Sequence, residues 1–228
     1  FFGLAAIAGL IIVWRTEHWW LLAVGAVCIV AAWFYTGGRR PYGYYGLGEL
    51  VVFVFFGLVA TAGTMFVLAD TVSIEAWLAG DAAGFIACGA LMVNNIRDRE
   101  QDKLAGKRTL AVLIGDRASR ITYAVLMLAP FGILAFFVLF YANAYLVYFV
   151  LLAALPAVGI TLTAKTPAEL IIALRLTAVT ALAYGLGLQG LLGKVCGKLL
   201  LNQLAGQGGR AATRRPRPPR GPPRARGA

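Results

Sequence analysis

One histidine, three cysteines and ten acidic residues occur in a chain of 228, and each scarcity removes a class of chemistry. Cys28, Cys88 and Cys196 are odd in number and lack metal-ligand spacing, and the first two stand inside apolar runs. They read as small hydrophobes, which excludes a disulfide framework and a zinc site. His18 is flanked by Trp19 and Trp20 at the end of an apolar run and reads as an interfacial ring. Charged residues make up only 14% of the chain, against about 25% in a soluble domain. An ordinary water-soluble domain is therefore excluded.

Acidic residues are missing altogether from 193 to 228, where nine Lys or Arg stand. That segment carries +9 of the net +11 and leaves +2 for residues 1–192, so the basicity belongs to a tail and is no footprint for nucleic acid. No methionine opens the chain, and Phe1 already lies in an apolar run with no charged region before it, unlike a signal peptide. The sequence reads as a piece of a longer protein.

What is abundant is apolar: 60% hydrophobic residues and a mean hydropathy of +0.77. A helix crosses the ~30 Å hydrocarbon layer in about 20 residues. Seven runs of that order emerge, at 1–14, 19–35, 49–68, 74–93, 119–140, 144–163 and 170–192. They are apolar on both faces and lack the alternation of barrel strands. The expected fold is all-α, a multi-spanning transmembrane helical bundle in residues 1–192, with 193–228 a separate basic tail. Gly80 with Gly84, and Gly57 with Gly63, suggest close helix approach. Pro130 and Pro156 fall inside predicted spans and predict kinks. Residues 205–228 hold five of the nine prolines and predict disorder.

Two connections, 36–48 and 94–118, are long and polar and fall on one side of the membrane. They carry two and six basic residues, while 15–18, 69–73 and 141–143 hold one Arg between them. Positive-inside asymmetry puts the long loops in the cytoplasm. The same count of crossings puts the arginine-rich tail outside, against that rule; a shifted reading frame in GC-rich codons would explain such a tail.

The chemistry concentrates at Asn94 and beyond. If the helix continues past Val93, Asn95, Asp98 and Asp102 fall within ~60° of one another at about 100° per residue. Glu100 points to the opposite side. Two carboxylates and an amide oxygen on one face suit Mg²⁺, which keeps waters and takes the rest of its shell from substrate phosphates. Lys107 and Arg108 could reach the outer phosphate oxygens. A cytosolic loop whose acids and bases pair in water is the plainer alternative.

The earlier loop offers Arg39, Arg40, Tyr42, Tyr44 and Tyr45 among five glycines. It could cover a planar acidic substrate, or form an interfacial aromatic belt. Glu49 either caps the next helix or faces a cavity. Asp81 lies ~20 Å along the helix from Asn94, too far to share a metal site. Glu75, near the far interface, reads as snorkelling.

The run NNIRDREQDKLAGKRTLAV resembles the second aspartate-rich motif of the UbiA-type intramembrane prenyltransferase superfamily, typified by 4-hydroxybenzoate polyprenyltransferase. Together with YTGGRRPYGYYGLGELVVFVFFG it is similar to the branch acting on 1,4-dihydroxy-2-naphthoate. The resemblance implies nine transmembrane helices and two aspartate-rich motifs on cytoplasmic loops that bind Mg²⁺ and a polyprenyl diphosphate. It makes Asn95, Asp98 and Asp102 metal and diphosphate ligands, with Asp98 and Asp102 catalytic. Asn94, Lys107 and Arg108 would join them at the diphosphate. Arg40 with Tyr42 and Tyr44 would lie over the aromatic acceptor, and Glu49 is a further substrate-binding candidate. The superfamily's first motif, NDxxDxxxD, does not occur in the sequence. Seven spans plus two would restore nine, and the chain alone is expected to be inactive. The implied setting is a bacterial-type cell (inner) membrane. A superfamily member with another aromatic acceptor, or a membrane solute transporter, are the rival readings.

Overall fold

The computed structural model describes residues 2–37, 41–141 and 143–213, and leaves aside the side chains of 2, 36, 42 and 191–213. Among the described residues every regular element is a helix. In order they are α1 (Phe2–Thr16), α2 (Leu21–Thr36), α3 (Gly48–Ala69), α4 (Ile74–Leu104), α5 (Leu110–Ile114), α6 (Asp116–Phe140), α7 (Ala144–Thr163) and α8 (Pro167–Thr213). Five are long and apolar enough to cross a membrane, namely α3, α4, α6, α7 and α8; α1 and α2 are apolar but shorter. All seven apolar runs found in the sequence are helical.

Local chemistry sets the ends. Asp70 adopts a left-handed backbone (φ 53°) that closes α3, and the Ser73 hydroxyl accepts from the Ala76 amide at 3.4 Å to open α4. Gly115 (φ 83°) divides α5 from α6, a conformation that glycine adopts without a Cβ clash.

Helix α4 forms the centre. Ala82, Met92 and Val93 on it are fully enclosed, as are Tyr123, Met127 and Leu134 of α6 and Ala173 of α8. Polar bonds tie these helices where lipid offers no partner. The Tyr123 and Thr177 hydroxyls meet at 2.6 Å, and Tyr184 donates to the Pro130 carbonyl at 2.6 Å. α6 and α7 run on through Pro130 and Pro156.

Helix α3 contains a π-helical stretch at Phe53–Val59. At 100° per residue Gly57 would stand about 80° around the helix from Glu49. Bonding of the i→i+5 type turns the chain less per residue, which brings both residues onto the side facing α4. Gly57 approaches so closely that a Cβ there would lie 2.6 Å from the Gly80 carbonyl oxygen and 2.6 Å from the Gly84 Cα. The small-residue expectation thus concerns Gly57, Gly80 and Gly84. Gly63 is a correction: a Cβ there would meet nothing within 4 Å.

Two further sequence readings change. His18 is more than an interfacial ring. Its Nε2 lies 2.5 Å from Asp70 Oδ1 and its ring lies 5.1 Å from that of Phe66, so the α1–α2 turn is tied to the α3–α4 turn. Glu75 is not simply snorkelling, since it accepts from the Tyr141 hydroxyl at 3.3 Å. The backbone of α8 is helical through Thr213. Residues 193–213 hold no proline, and the five tail prolines begin at Pro216, beyond the described residues.

Candidate functional site

The site is built where α4 outruns its apolar stretch. Because α4 is one helix to Leu104, Asn95, Asp98 and Asp102 stand on successive turns of a continuous backbone. Asp102 is buried, while Asn95 and Asp98 are half-buried. Asn94 is half-buried beside them.

Each of the three has a partner on a different segment or neighbour. Asn95 Nδ2 donates to Glu49 Oε1 at 3.0 Å, which joins the start of α3 to α4. Asp98 accepts from Arg97 through both oxygens, Nε to Oδ1 and Nη2 to Oδ2 at 2.7 Å each. Asp102 Oδ1 lies 3.0 Å from Lys107 Nζ. That hydrogen bond and the attraction of the carboxylate hold the Lys107 ammonium above the usual lysine range.

The 36–48 connection comes to the same end of the bundle. Lys107 Nζ sits 4.9 Å from the centre of the Tyr44 ring, and the Arg108 amide donates to the Tyr44 carbonyl at 2.9 Å. A tight turn makes this possible. Gly106 takes φ 73° and the Lys107 amide closes on the Asp102 carbonyl at 2.9 Å. Arg108 itself is exposed. Arg39 and Arg40 lie outside the described residues, as does the side chain of Tyr42. Asp81, half-buried further down α4, is not brought to this group.

Two contacts were invisible in the sequence. Cys88 Sγ donates to the Glu49 carbonyl at 3.0 Å, so Glu49 is held through main chain and side chain together. Among the described residues, the buried side-chain oxygens without a partner are Glu49 Oε2 and Thr109 Oγ1. Both belong to segments that form this site. Buried orphan acceptors are uncommon and mark places where a ligand or ion completes the bonding.

No group of three or more His, Cys, Asp or Glu side chains comes together among the described residues. Asn95, Asp98 and Asp102 instead offer one amide oxygen and two carboxylates along one face of α4, all hard, with cationic side chains at their edge. This fits a cation that shares its shell with water and phosphate, and does not fit a closed protein cage.

The chain resembles proteins with the same segments. It is 44% identical over 192 residues to 1,4-dihydroxy-2-naphthoate octaprenyltransferase of Mycobacterium tuberculosis, covering 83% of this chain and 65% of that protein. It is 40% identical over 119 residues to the protein of that name from Escherichia coli, covering 52% and 39%. With 2-carboxy-1,4-naphthoquinone phytyltransferase of Synechocystis it shares 30% identity over 118 residues, covering 51% and 38%. The chain thus spans about two thirds of the first of these relatives and less of the others. No solved structure matches. The UbiA prenyltransferase family model matches residues 1–169, and with five helices of membrane-spanning length the chain is an integral membrane protein that belongs to that family.

Proposed function

We propose that the protein transfers a prenyl group from a polyprenyl diphosphate to 1,4-dihydroxy-2-naphthoate with loss of carbon dioxide, giving demethylmenaquinol, the reduced form of demethylmenaquinone. One observation carries this reading: Asn95, Asp98 and Asp102 share one helical face beside Lys107, at the end of a bundle whose interior is apolar. The names of the relatives support the substrate pair. The unequal share of basic residues between the two sides supports an active site at the cytoplasmic face of a bacterial cell membrane. Residues 1–192 would be the membrane domain and 193–228 a separate segment.

Asn95, Asp98 and Asp102 would hold the metal, and Mg²⁺ is the cation their hard oxygens suit. Once bound, it would supply charge stabilisation to the departing diphosphate. The chain's own groups do the rest. Lys107 and Arg108 neutralise the outer phosphate oxygens, and Asn94 lies beside them. For Asp98 this requires exchange, because Arg97 now occupies both oxygens; a released guanidinium is itself a bidentate phosphate donor. Tyr44, and with it Arg40 and Tyr42, would border the acceptor.

In the reaction the allylic C–O bond breaks and its electron pair leaves on the diphosphate. A carbon–carbon bond forms to the acceptor ring, and departure of carbon dioxide returns an electron pair to the ring. Exclusion of water from the electron-poor allyl group would fall to the apolar helices bordering the site. Membranes from cells expressing the complete gene are expected to convert the two substrates to demethylmenaquinol, which air oxidises to the quinone on extraction, and to stop when the divalent cation is chelated. Mass spectrometry of the extracted quinones reads both. Turnover of other aromatic acids with none of the naphthoate would overturn the substrate assignment.

A further inference from the structure

Glu49 is 8% exposed, yet it heads a helix and bears a carboxylate, a costly group to enclose beside lipid-facing surface. Its placement is over-determined. The Cys88 thiol and the Phe53 amide both donate to its carbonyl, and Asn95 Nδ2 donates to Oε1. Just below, Gly48 meets Leu91, and Gly57 meets Gly80 and Gly84, so the whole seam between α3 and α4 is fixed.

The consequence falls on Asn95. A primary amide has donors on one branch and acceptor lone pairs on the other. With Nδ2 bound to Glu49, Oδ1 is turned away from that carboxylate and left available to a ligand. Asp98 stands one turn on, on the same face of α4. Without an acceptor at 49 the amide is free to turn over and present N–H groups, which repel a cation. We propose that Glu49 is a positioning residue: its carboxylate locks the Asn95 amide with the carbonyl outward, and so sets the affinity for a divalent cation with its diphosphate. This rests on the reading of the site given above. It assigns Glu49 to the cation side of the site, away from the aromatic acceptor.

Binding, not turnover, is the test. The protein expressed from its complete gene, in detergent, is titrated with Mn²⁺ and inorganic pyrophosphate and followed by electron paramagnetic resonance. Glu49→Gln keeps an acceptor for Asn95 and is expected to bind nearly as the parent does. Glu49→Leu is expected to weaken binding about tenfold or more, the range seen when an outer partner of a ligand is lost. Asn95→Asp sets two carboxylates against each other and is expected to lose a similar factor. Glu49→Gln combined with Asn95→Asp reverses the donor direction of the same bond and should recover most of it.

That recovery separates positioning from mere folding, because Gln and Asp keep the original shapes. Unchanged affinity in Glu49→Leu, or a double variant no better than Asn95→Asp, would overturn the inference and leave the proposed activity standing. A parent protein that binds no Mn²⁺ with pyrophosphate would overturn both.

Discussion

The α1–α2 hairpin and the α3–α4 seam are both apolar pairs of helices, yet they have opposite fates. On the hairpin, Leu4, Trp14, Val27 and Trp33 are each more than 60% exposed. On α4, which is the least apolar of the five long spans, the largest share of residues is buried. Apolarity in such a chain therefore does not by itself mark membership of the buried core. Small residues and paired polar groups mark the interior, because they alone gain more from a neighbouring helix than from lipid.

Breaking that contrast at its polar end should have the largest effect. Asp98→Ala and Asp102→Ala are each expected to cut prenyl transfer by ~10²-fold or more, the scale for losing a group that stabilises transition-state charge. Trp33→Ala, on the exposed surface of the hairpin, should leave turnover unchanged. Assays of quinone formation in membranes decide both.

A second comparison uses one methyl group in each region. Gly57→Ala forces a Cβ to within 2.6 Å of two backbone atoms of α4, and overpacking of that kind costs about 1–3 kcal/mol. Gly25→Ala in α2 meets nothing within 4 Å and is expected to be neutral or to stabilise by up to about 1 kcal/mol through helix propensity. Thermal unfolding in detergent should separate the two variants in opposite directions.

The smallest effect concerns pH. Folding raises the Lys107 pKa through its bond to Asp102, so the stabilisation is complete below the ordinary lysine value and is lost as pH climbs through the raised one. The contact is partly open to solvent, which limits its worth to under about 1 kcal/mol. Lys107→Met should lower the melting temperature slightly near neutral pH, with the difference vanishing once pH rises past the raised lysine value.

Much of the site was legible because α4 does not stop where its apolar run stops. The i, i+3, i+7 spacing of Asn95, Asp98 and Asp102 is a helical register, and register follows from local geometry alone. Lys107 was legible as a neighbour through the Gly106 turn. The pairing of Asp98 with Arg97 was not, because adjacent residues on a helix point to different sides unless a long side chain folds back. Nor was the bond from His18 to Asp70, which joins residues 52 positions apart.

By itself the sequence determined which segments are helices, which end of the bundle holds charge, and which three side chains share a face. These follow from hydropathy, charge asymmetry and a period of 3.6, all properties of neighbouring residues. Only the tertiary structure decided that Glu49 meets Asn95, that Tyr44 lies under Lys107, and that the hairpin is exposed while α4 is buried. Those outcomes depend on how closely helices approach across Gly57, Gly80 and Gly84. A distance between segments is fixed by steric fit across the whole bundle, which no local pattern encodes.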